Sequence, residues 1–467
     1  MSIKKLTVLS AFLLTITASG CSIFKSSMIT EEKNAKKIIV DRIDQQHKAV
    51  GIALALSNPQ GNIFINHGVQ SHQNSKPITS DTIFEIGSIS KIFTNVLLAQ
   101  HIIDKKISLD APAQNYMPAD IVLPKKNGKE ITLFDLATHH SGLPSVPPKI
   151  FKAPIENPYA DLTRQDLAEF LQHYELSRLP GEAFEYSNIG TTLIGLALEN
   201  VAGKPYEELV QSIILNPLGM SETWANVPKN KNDRYAEGYN SQGTATSHWD
   251  LGVFLPAGGW HSTARDMSRF LNAASQIKET PLSPAFSLML SHTRPIDTES
   301  DLKIGLGWII SNQNIVWHNG MTGGFSAITG YRLDNKHGVL ILSNQASASS
   351  VDDIAMHLLD STNPLQAPPA KIPFHSVPTT LLTEYQGRYR MAADIYLDVL
   401  VENDRLFVEV NGQGKAEFQA VSDYQFTAPA LMITIEFQRN STGQIQHLIV
   451  DQQGMITEAP RMTQHVQ

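Results

Sequence analysis

The sequence predicts an α+β protein in two parts: an antiparallel sheet built from both ends of a long first domain with helices between, then a small all-β domain. Three observations predict this. Strand patterns occur near residue 50 and again after residue 305, with helical periodicity between them. Prolines 364, 368, 369, 373 and 378 crowd one short stretch, and alternating segments separated by turn residues follow it. A chain of 467 residues also exceeds a typical domain about threefold.

The first segment is a targeting signal. Lys4 and Lys5 precede the apolar run Leu6 to Ile16, which is too short to span a bilayer, and Ala18-Ser19-Gly20-Cys21 closes it. The arrangement resembles a bacterial lipoprotein leader, so residues 1–20 are expected to be removed and Cys21 to carry lipid. An ordinary cleaved leader with a chance cysteine is the competing reading. The expected location is the cell envelope, facing the periplasm, with a polar tether over residues 21–38. Cys21 is the only cysteine, which excludes disulfides, a thiolate metal site and a cysteine nucleophile. A net charge of −8, or −10 without Lys4 and Lys5, argues against nucleic acid as a partner. With no polybasic patch, lipid alone would hold the protein to a membrane.

The first domain is expected over residues 39–363. Gly51 to Ser57 and Asn62 to Asn66 read as strands joined by a turn at 58–61. From Ser88 onward, Ile92, Phe93, Val96, Leu97, Ile102 and Ile103 follow the period of an amphipathic helix. Further helices are expected at Leu162 to Tyr174, Gly190 to Val201 and Val351 to Leu359. Strands are expected at Gly305 to Ser311, Ile315 to His318, Phe325 to Leu333 and Val339 to Ser343. A cleft between sheet and helices is where a site belongs. The linker spans 364–379. In the β domain, 380–467, strands are expected at Ile395 to Val401, Leu406 to Val410, Met432 to Phe437 and Ile445 to Val450.

Three short patterns carry chemistry. Ser-x-x-Lys occurs five times, beginning at Ser2, Ser22, Ser88, Ser275 and Ser300, but only Ser88-Ile-Ser-Lys91 opens a long apolar helix. Residues three apart share a helix face, so Lys91 can reach the Ser88 hydroxyl, and the helix N-terminus favours negative charge developing during attack. Ser88 as a cap with Lys91 solvated is the competing reading. Tyr186-Ser-Asn188 is the only Tyr-x-Asn. A loop tyrosine can act as general base if a nearby cation lowers its pKa, and Asn188 can bond both a lysine and a substrate carbonyl. His318-Asn319-Gly320-Met321 lies between two strands with Gly323 and Gly324 after it. There Gly320 admits a substrate backbone, and the Met321 amide can pair with that of Ser88 as an oxyanion hole.

In this order the three patterns resemble the serine β-lactamase family in its class C and DD-peptidase branch. The resemblance covers roughly residues 40 to 360 and extends to Phe84-Glu-Ile-Gly-Ser-Ile-Ser-Lys, Thr138-His-His-Ser-Gly-Leu-Pro144, Asn216-Pro-Leu-Gly-Met220 and Gly305-Leu-Gly-Trp308. The region after 380 resembles the lipocalin-like β domain of some members. The resemblance implies a β-lactamase/DD-peptidase fold and acyl transfer through Ser88, with Lys91 and Tyr186 as its activators. It implies Asn188, His318, Asn319 and Gly320 as substrate-binding residues, and no metal or cofactor.

His318 stands where class C β-lactamases have lysine. Lysine supplies a fixed charge for the penicillin carboxylate, whereas an unperturbed histidine, with a pKa near 6.5, is mostly neutral at pH 7. A D-alanyl-D-alanine carboxypeptidase or endopeptidase therefore ranks above a β-lactamase, and an esterase third, with cell-wall peptides or β-lactams as substrates. A non-catalytic penicillin-binding sensor is the reading from another class. With an unperturbed His318, affinity for free carboxylates should rise as pH falls from 8.5 to 5.5.

Overall fold

The computed structural model describes residues 29–462 apart from 155, 242, 298–299, 347–350, 367–374, 393–394, 411–412, 429–432 and 453–454. The expected leader and Cys21 lie outside these residues, as does the middle of the linker. The elements that build the first part are, in chain order, α1 (residues 29–40), β1 (Gly51–Asn58), β2 (Gly61–Gly68), β3 (Ile83–Glu85), α2 (Ser90–Ile103), α3 (Leu133–Ala137), α4 (Asn188–Ala202), α5 (Leu255–Gly258), β4 (His261–Thr263), β5 (Ile315–Met321), β6 (Ser326–Arg332), β7 (Gly338–Ser343) and α6 (Asp352–Leu359). Further turns and helices, among them Arg164–His173, Ala264–Ala274 and Ser283–Ser291, lie between them.

The sheet joins the two ends of the domain, as the pattern predicted. Its order is β2-β1-β7-β6-β5, continued by the two-residue strands Ile309–Ile310, Lys303–Ile304 and Arg294–Pro295. Ile52 pairs with Ser343 and Ser57 with Gly338, so residues nearly 300 apart share one antiparallel ladder. The expected strand at 305–311 is broken because Gly307 takes a left-handed turn, with φ +79°. Strand β5 instead runs three residues past His318 and carries the whole third pattern.

Helix α2 departs from the amphipathic expectation. Ser90 to Ala99 are buried all round, along with His101, because α2 is the central post of the helical lobe. It packs against α4, α5 and the helix Ser283–Ser291, and its Phe93 meets Trp260 at 5.9 Å and Phe270 at 4.9 Å. Strand β3 enters this lobe paired with β4, Glu85 opposite His261.

The second part is a nearly closed antiparallel barrel of eight strands in sequence order, from Gly387–Ala392 to Met455–Pro460. First and last strands meet: the Met462 N–H donates to Arg388 O at 2.8 Å, and Tyr389 bridges Arg461. Four strands escaped the sequence reading, among them Gly387–Ala392 and Gln413–Ala420, because their alternation is diluted by charged and polar residues. The barrel interior is filled, with Tyr385 stacked on Phe437 at 4.0 Å among Leu397, Leu406, Phe426 and Leu448.

Residues 29–40 are helical, although the expected tether ran to residue 38. Ala35 and Ile39, one turn apart, are fully buried with Ile52, Leu54, Leu56, Ile328 and Ile354 on the outer face of the sheet. Just beyond, Arg42 forks onto Asp353 of α6 with bonds of 3.0 and 2.6 Å, both side chains almost out of water. Removing one partner leaves the other charge buried, so Arg42→Ala should cost about 3–5 kcal/mol. Urea unfolding of the wild type and variant measures it; a loss below ~1 kcal/mol would show that water reaches Asp353.

Candidate active site

Ser88 sits in a single 3₁₀ turn, Gly87–Ile89, between β3 and the first residue of α2. Its side chain caps neither helix, which removes the capping alternative. Lys91, one turn on, is completely buried rather than solvated. Its Nζ lies 3.0 Å from Ser88 Oγ, 2.7 Å from Asn188 Oδ1 and 2.7 Å from the Ala257 carbonyl. Burial drives the amine's pKa well below its ordinary value. Deprotonated, it has two N–H groups for the two oxygens that can only accept, and its lone pair faces the serine hydroxyl.

Tyr186 and Asn188 straddle the start of α4. Ser187 between them is the N-cap, accepting the Gly190 N–H at 3.0 Å and donating to Pro144 O at 2.7 Å. The backbone of 188 and 189 is tied to Ser145 O at 3.0 and 3.2 Å, so the segment after α3 registers the whole Tyr-x-Asn pattern. Asn188 Nδ2 donates to Tyr159 OH at 3.0 Å, which turns its oxygen to Lys91. The Tyr186 ring lies 4.7 Å from Lys91 Nζ, and its hydroxyl hydrogen-bonds Ser88. Burial raises the phenol's pKa above its ordinary value, and the Ser88 bond only partly offsets this. The expected lowered tyrosine is thus not found, because desolvation of the buried phenolate outweighs the bond to Ser88.

In β5 the alternation of a strand separates the third pattern into two faces. His318 and Gly320 face the lobe. The Asn319 side chain points to the opposite face, where it donates to Asp352 Oδ2 of α6 at 2.6 Å. Asn319 is therefore not a substrate ligand through its side chain. Gly320 also has a different reason from the one expected: a Cβ there would stand 2.1 Å from Ile86 O and 2.9 Å from Ser88 N. Gly87, at φ +50°, is its counterpart, since a Cβ would meet Met321 N at 2.6 Å. The two glycines let strand and turn touch, bringing the Ser88 and Met321 amides side by side. The Met321 side chain is exposed.

The Beta-lactamase family profile matches residues 37–362, more than half of the chain. The chain belongs to the beta-lactamase family. A second profile, a domain of unknown function designated DUF3471, matches residues 373–464. Penicillin-binding protein 4* of Bacillus subtilis is 26% identical over 432 residues, 85% of this chain and 92% of that protein. The D-alanyl-D-alanine-carboxypeptidase/endopeptidase AmpH of Escherichia coli is 29% identical over 263 residues, 54% of this chain and 66% of that one. A crystal structure of a class C beta-lactamase from Rhodobacter sphaeroides superposes with a TM-score of 0.60 at 25% identity, over 70% of this chain and 99% of that one. The first part thus has the class C beta-lactamase-like fold, and the protein is a serine hydrolase of this family.

Within this beta-lactamase-family site, sequence reasoning missed Tyr159 and the Ala257 carbonyl, and gave no role to His139 and Glu85, which it quoted only within the resembling stretches. Tyr159 lies in an irregular loop without periodicity, and a carbonyl leaves no mark in a sequence. Glu85, just before the nucleophile turn, is buried; Trp249 N–H and Tyr235 OH reach its Oε1 at 2.9 and 3.3 Å, and desolvation pushes its pKa to about 7. Among the described residues no three His, Cys, Asp or Glu side chains converge to hold a metal.

His318 also differs from expectation. It is buried, and desolvation, helped by Lys91, lowers its pKa to about 4. Its Nδ1–H donates to Asn319 O at 2.5 Å, so the neutral ring has Nε2 as an acceptor. Between pH 5.5 and 8.5 the acylation profiles for matched carboxylate and amide substrates should therefore be parallel, any carboxylate-specific gain appearing only as pH approaches 4. A divergence centred near pH 6.5 would show that His318 is solvated.

Proposed function

We propose that the protein cleaves amide bonds of D-amino-acid peptides of the cell wall through an acyl-enzyme on Ser88, in the manner of a D-alanyl-D-alanine carboxypeptidase or endopeptidase, and that penicillins acylate the same residue. The observation that carries the reading is the contact of a fully buried, deprotonation-prone Lys91 with the Ser88 hydroxyl at 3.0 Å. Lys91 accepts the serine proton as Oγ attacks the carbonyl carbon. The oxyanion that forms is held between the Ser88 and Met321 amides. Tyr186, still protonated, donates its proton to the departing amine, and Lys91 hands the proton it took from Ser88 to the phenolate, so that both end neutral. Water then attacks the ester by the same route in reverse.

The choice of peptide over β-lactam is supported by His318. A neutral imidazole with an accepting nitrogen suits the N–H of a scissile peptide bond, which the tertiary lactam nitrogen of a penicillin lacks. The names of the relatives support both branches: AmpH is a carboxypeptidase/endopeptidase, and the Rhodobacter protein a class C beta-lactamase. Mass spectrometry of muropeptides incubated with the purified protein tests the ranking. Released D-alanine or cleaved cross-links are expected; rapid penicillin turnover with intact muropeptides would reverse it.

Ser88→Ala should abolish covalent labelling by a fluorescent penicillin while the melting temperature stays within a few degrees. Labelling that persists on another serine would overturn the assignment. Tyr186→Phe and Lys91→Ala should each lower the acylation rate about 10²- to 10⁴-fold, the pair together far less than the product, as stopped-flow acylation of the double variant would show. Multiplicative losses would mean two independent roles.

We infer also that the chain is exported and anchored through lipid on Cys21, its sole cysteine after Ala18-Ser19-Gly20. Cys21→Ser should move the protein out of the membrane fraction. Native protein found soluble with a different N-terminus would refute this.

A further inference from the structure

The helical lobe spends one residue on holding Tyr186 that no step of the chemistry uses. His139 follows α3 and is buried, with only 2% of its surface exposed. Its carbonyl accepts the Glu185 N–H at 2.7 Å, and its ring Nδ1 accepts the Ser187 N–H at 3.1 Å. Both chain neighbours of Tyr186 are therefore tied to the same residue. Between those two bonds the imidazole lies on the Tyr186 ring, centroids 4.6 Å apart at 36°, while Phe184 meets it edge-on at 5.8 Å.

We propose that His139 is a positioning residue for Tyr186, a three-point clamp that fixes the phenol over Ser88 and Lys91. The proposal rests on the reading of Tyr186 as proton donor given above. Two further features fit a clamp better than ordinary core packing. Because Nδ1 accepts a backbone N–H, the proton of the neutral ring sits on Nε2, so the same bond fixes ring orientation and tautomer. The His139 backbone is left-handed, φ +58°, a conformation that residues with a β-carbon adopt rarely and keep only where surrounding contacts enforce it. The next residue completes the brace: His140 O accepts the Gly181 N–H at 2.7 Å, so positions 139 and 140 hold both ends of the loop that delivers Tyr186. Burial and the nearby Lys91 keep the His139 ring uncharged, which leaves its face free to stack.

Two substitutions separate the parts of the clamp. His139→Asn tolerates the left-handed backbone and keeps an accepting atom for Ser187, but removes the stacked ring. His139→Phe keeps a ring and removes the acceptor. Each is made in the wild type and in Tyr186→Phe, with circular dichroism melting to confirm folding and stopped-flow acylation by a fluorescent penicillin to resolve the maximal rate from apparent affinity. Misplacing a reacting group by about an ångström costs up to roughly 10² in rate. The expected result is a 10- to 100-fold lower maximal acylation rate for His139→Asn at unchanged apparent affinity, and no further loss when it is added to Tyr186→Phe. The same loss in both backgrounds, or none in a folded His139→Asn, would overturn the clamp. If His139→Asn does not fold, His139→Phe decides by the same two criteria, and failure of both to fold makes the residue structural and refutes the proposal. Tyr186→Phe alone reports on the underlying reading: full activity there would remove Tyr186 from the chemistry, whereas loss there without coupling to His139 would remove only the clamp.

Discussion

An amine without a counter-ion, enclosed in protein, is the constraint around which the rest of the lobe is arranged. Lys91 is fully buried and its bonds go to a hydroxyl, an amide oxygen and a backbone carbonyl, none of them charged. Ionised, it would lose hydration that these neutral dipoles replace only in part; neutral, it is a base. To hold it there, α2 must be buried all round, α4 must present Asn188, and α5 must turn the Ala257 carbonyl inward. One nitrogen thereby links three helices and the nucleophile turn.

The low polarity that lowers the Lys91 pKa acts on every titratable group around it. Tyr186 keeps its proton, and His318 and His139 stay neutral. Burial thus favours the uncharged form of each group that the proposed mechanism uses as base or acid. Close backbone contact gives the site its second property. Gly87 and Gly320 bring the Ser88 turn and the end of β5 within van der Waals distance, so two amides from distant parts of the chain point into one place.

That closeness depends on a sheet held from behind. Large residues of β1, Ile52, Leu54 and Leu56, face α1 and α6, while its Ala53 and Ala55 lie against the lobe, where small side chains allow close packing. The Arg42–Asp353 fork and the Asn319–Asp352 bond both end on α6, one from the start of the domain and one from the strand that carries His318. The outer layer therefore fixes β5, and β5 fixes the site.

By itself the sequence determined the α+β class, the joining of distant strands, the barrel that follows, and the pairing of Ser88 with Lys91. Each depends on local periodicity or on residues one helical turn apart, which the chain encodes directly. Which copy of Ser-x-x-Lys opens a buried helix was also legible, since only one stood before an apolar run. Tertiary structure alone decided the protonation states of Lys91, Tyr186 and His318, because desolvation depends on what other segments cover a group. It also decided that Asn319 faces away, since which face of a strand meets the lobe is set by packing, and that His139, given no role by the sequence, lies on Tyr186. The helix at 29–40 was hidden for the same reason: Ala35 and Ile39 form an apolar face too small to notice until the sheet it covers is in place.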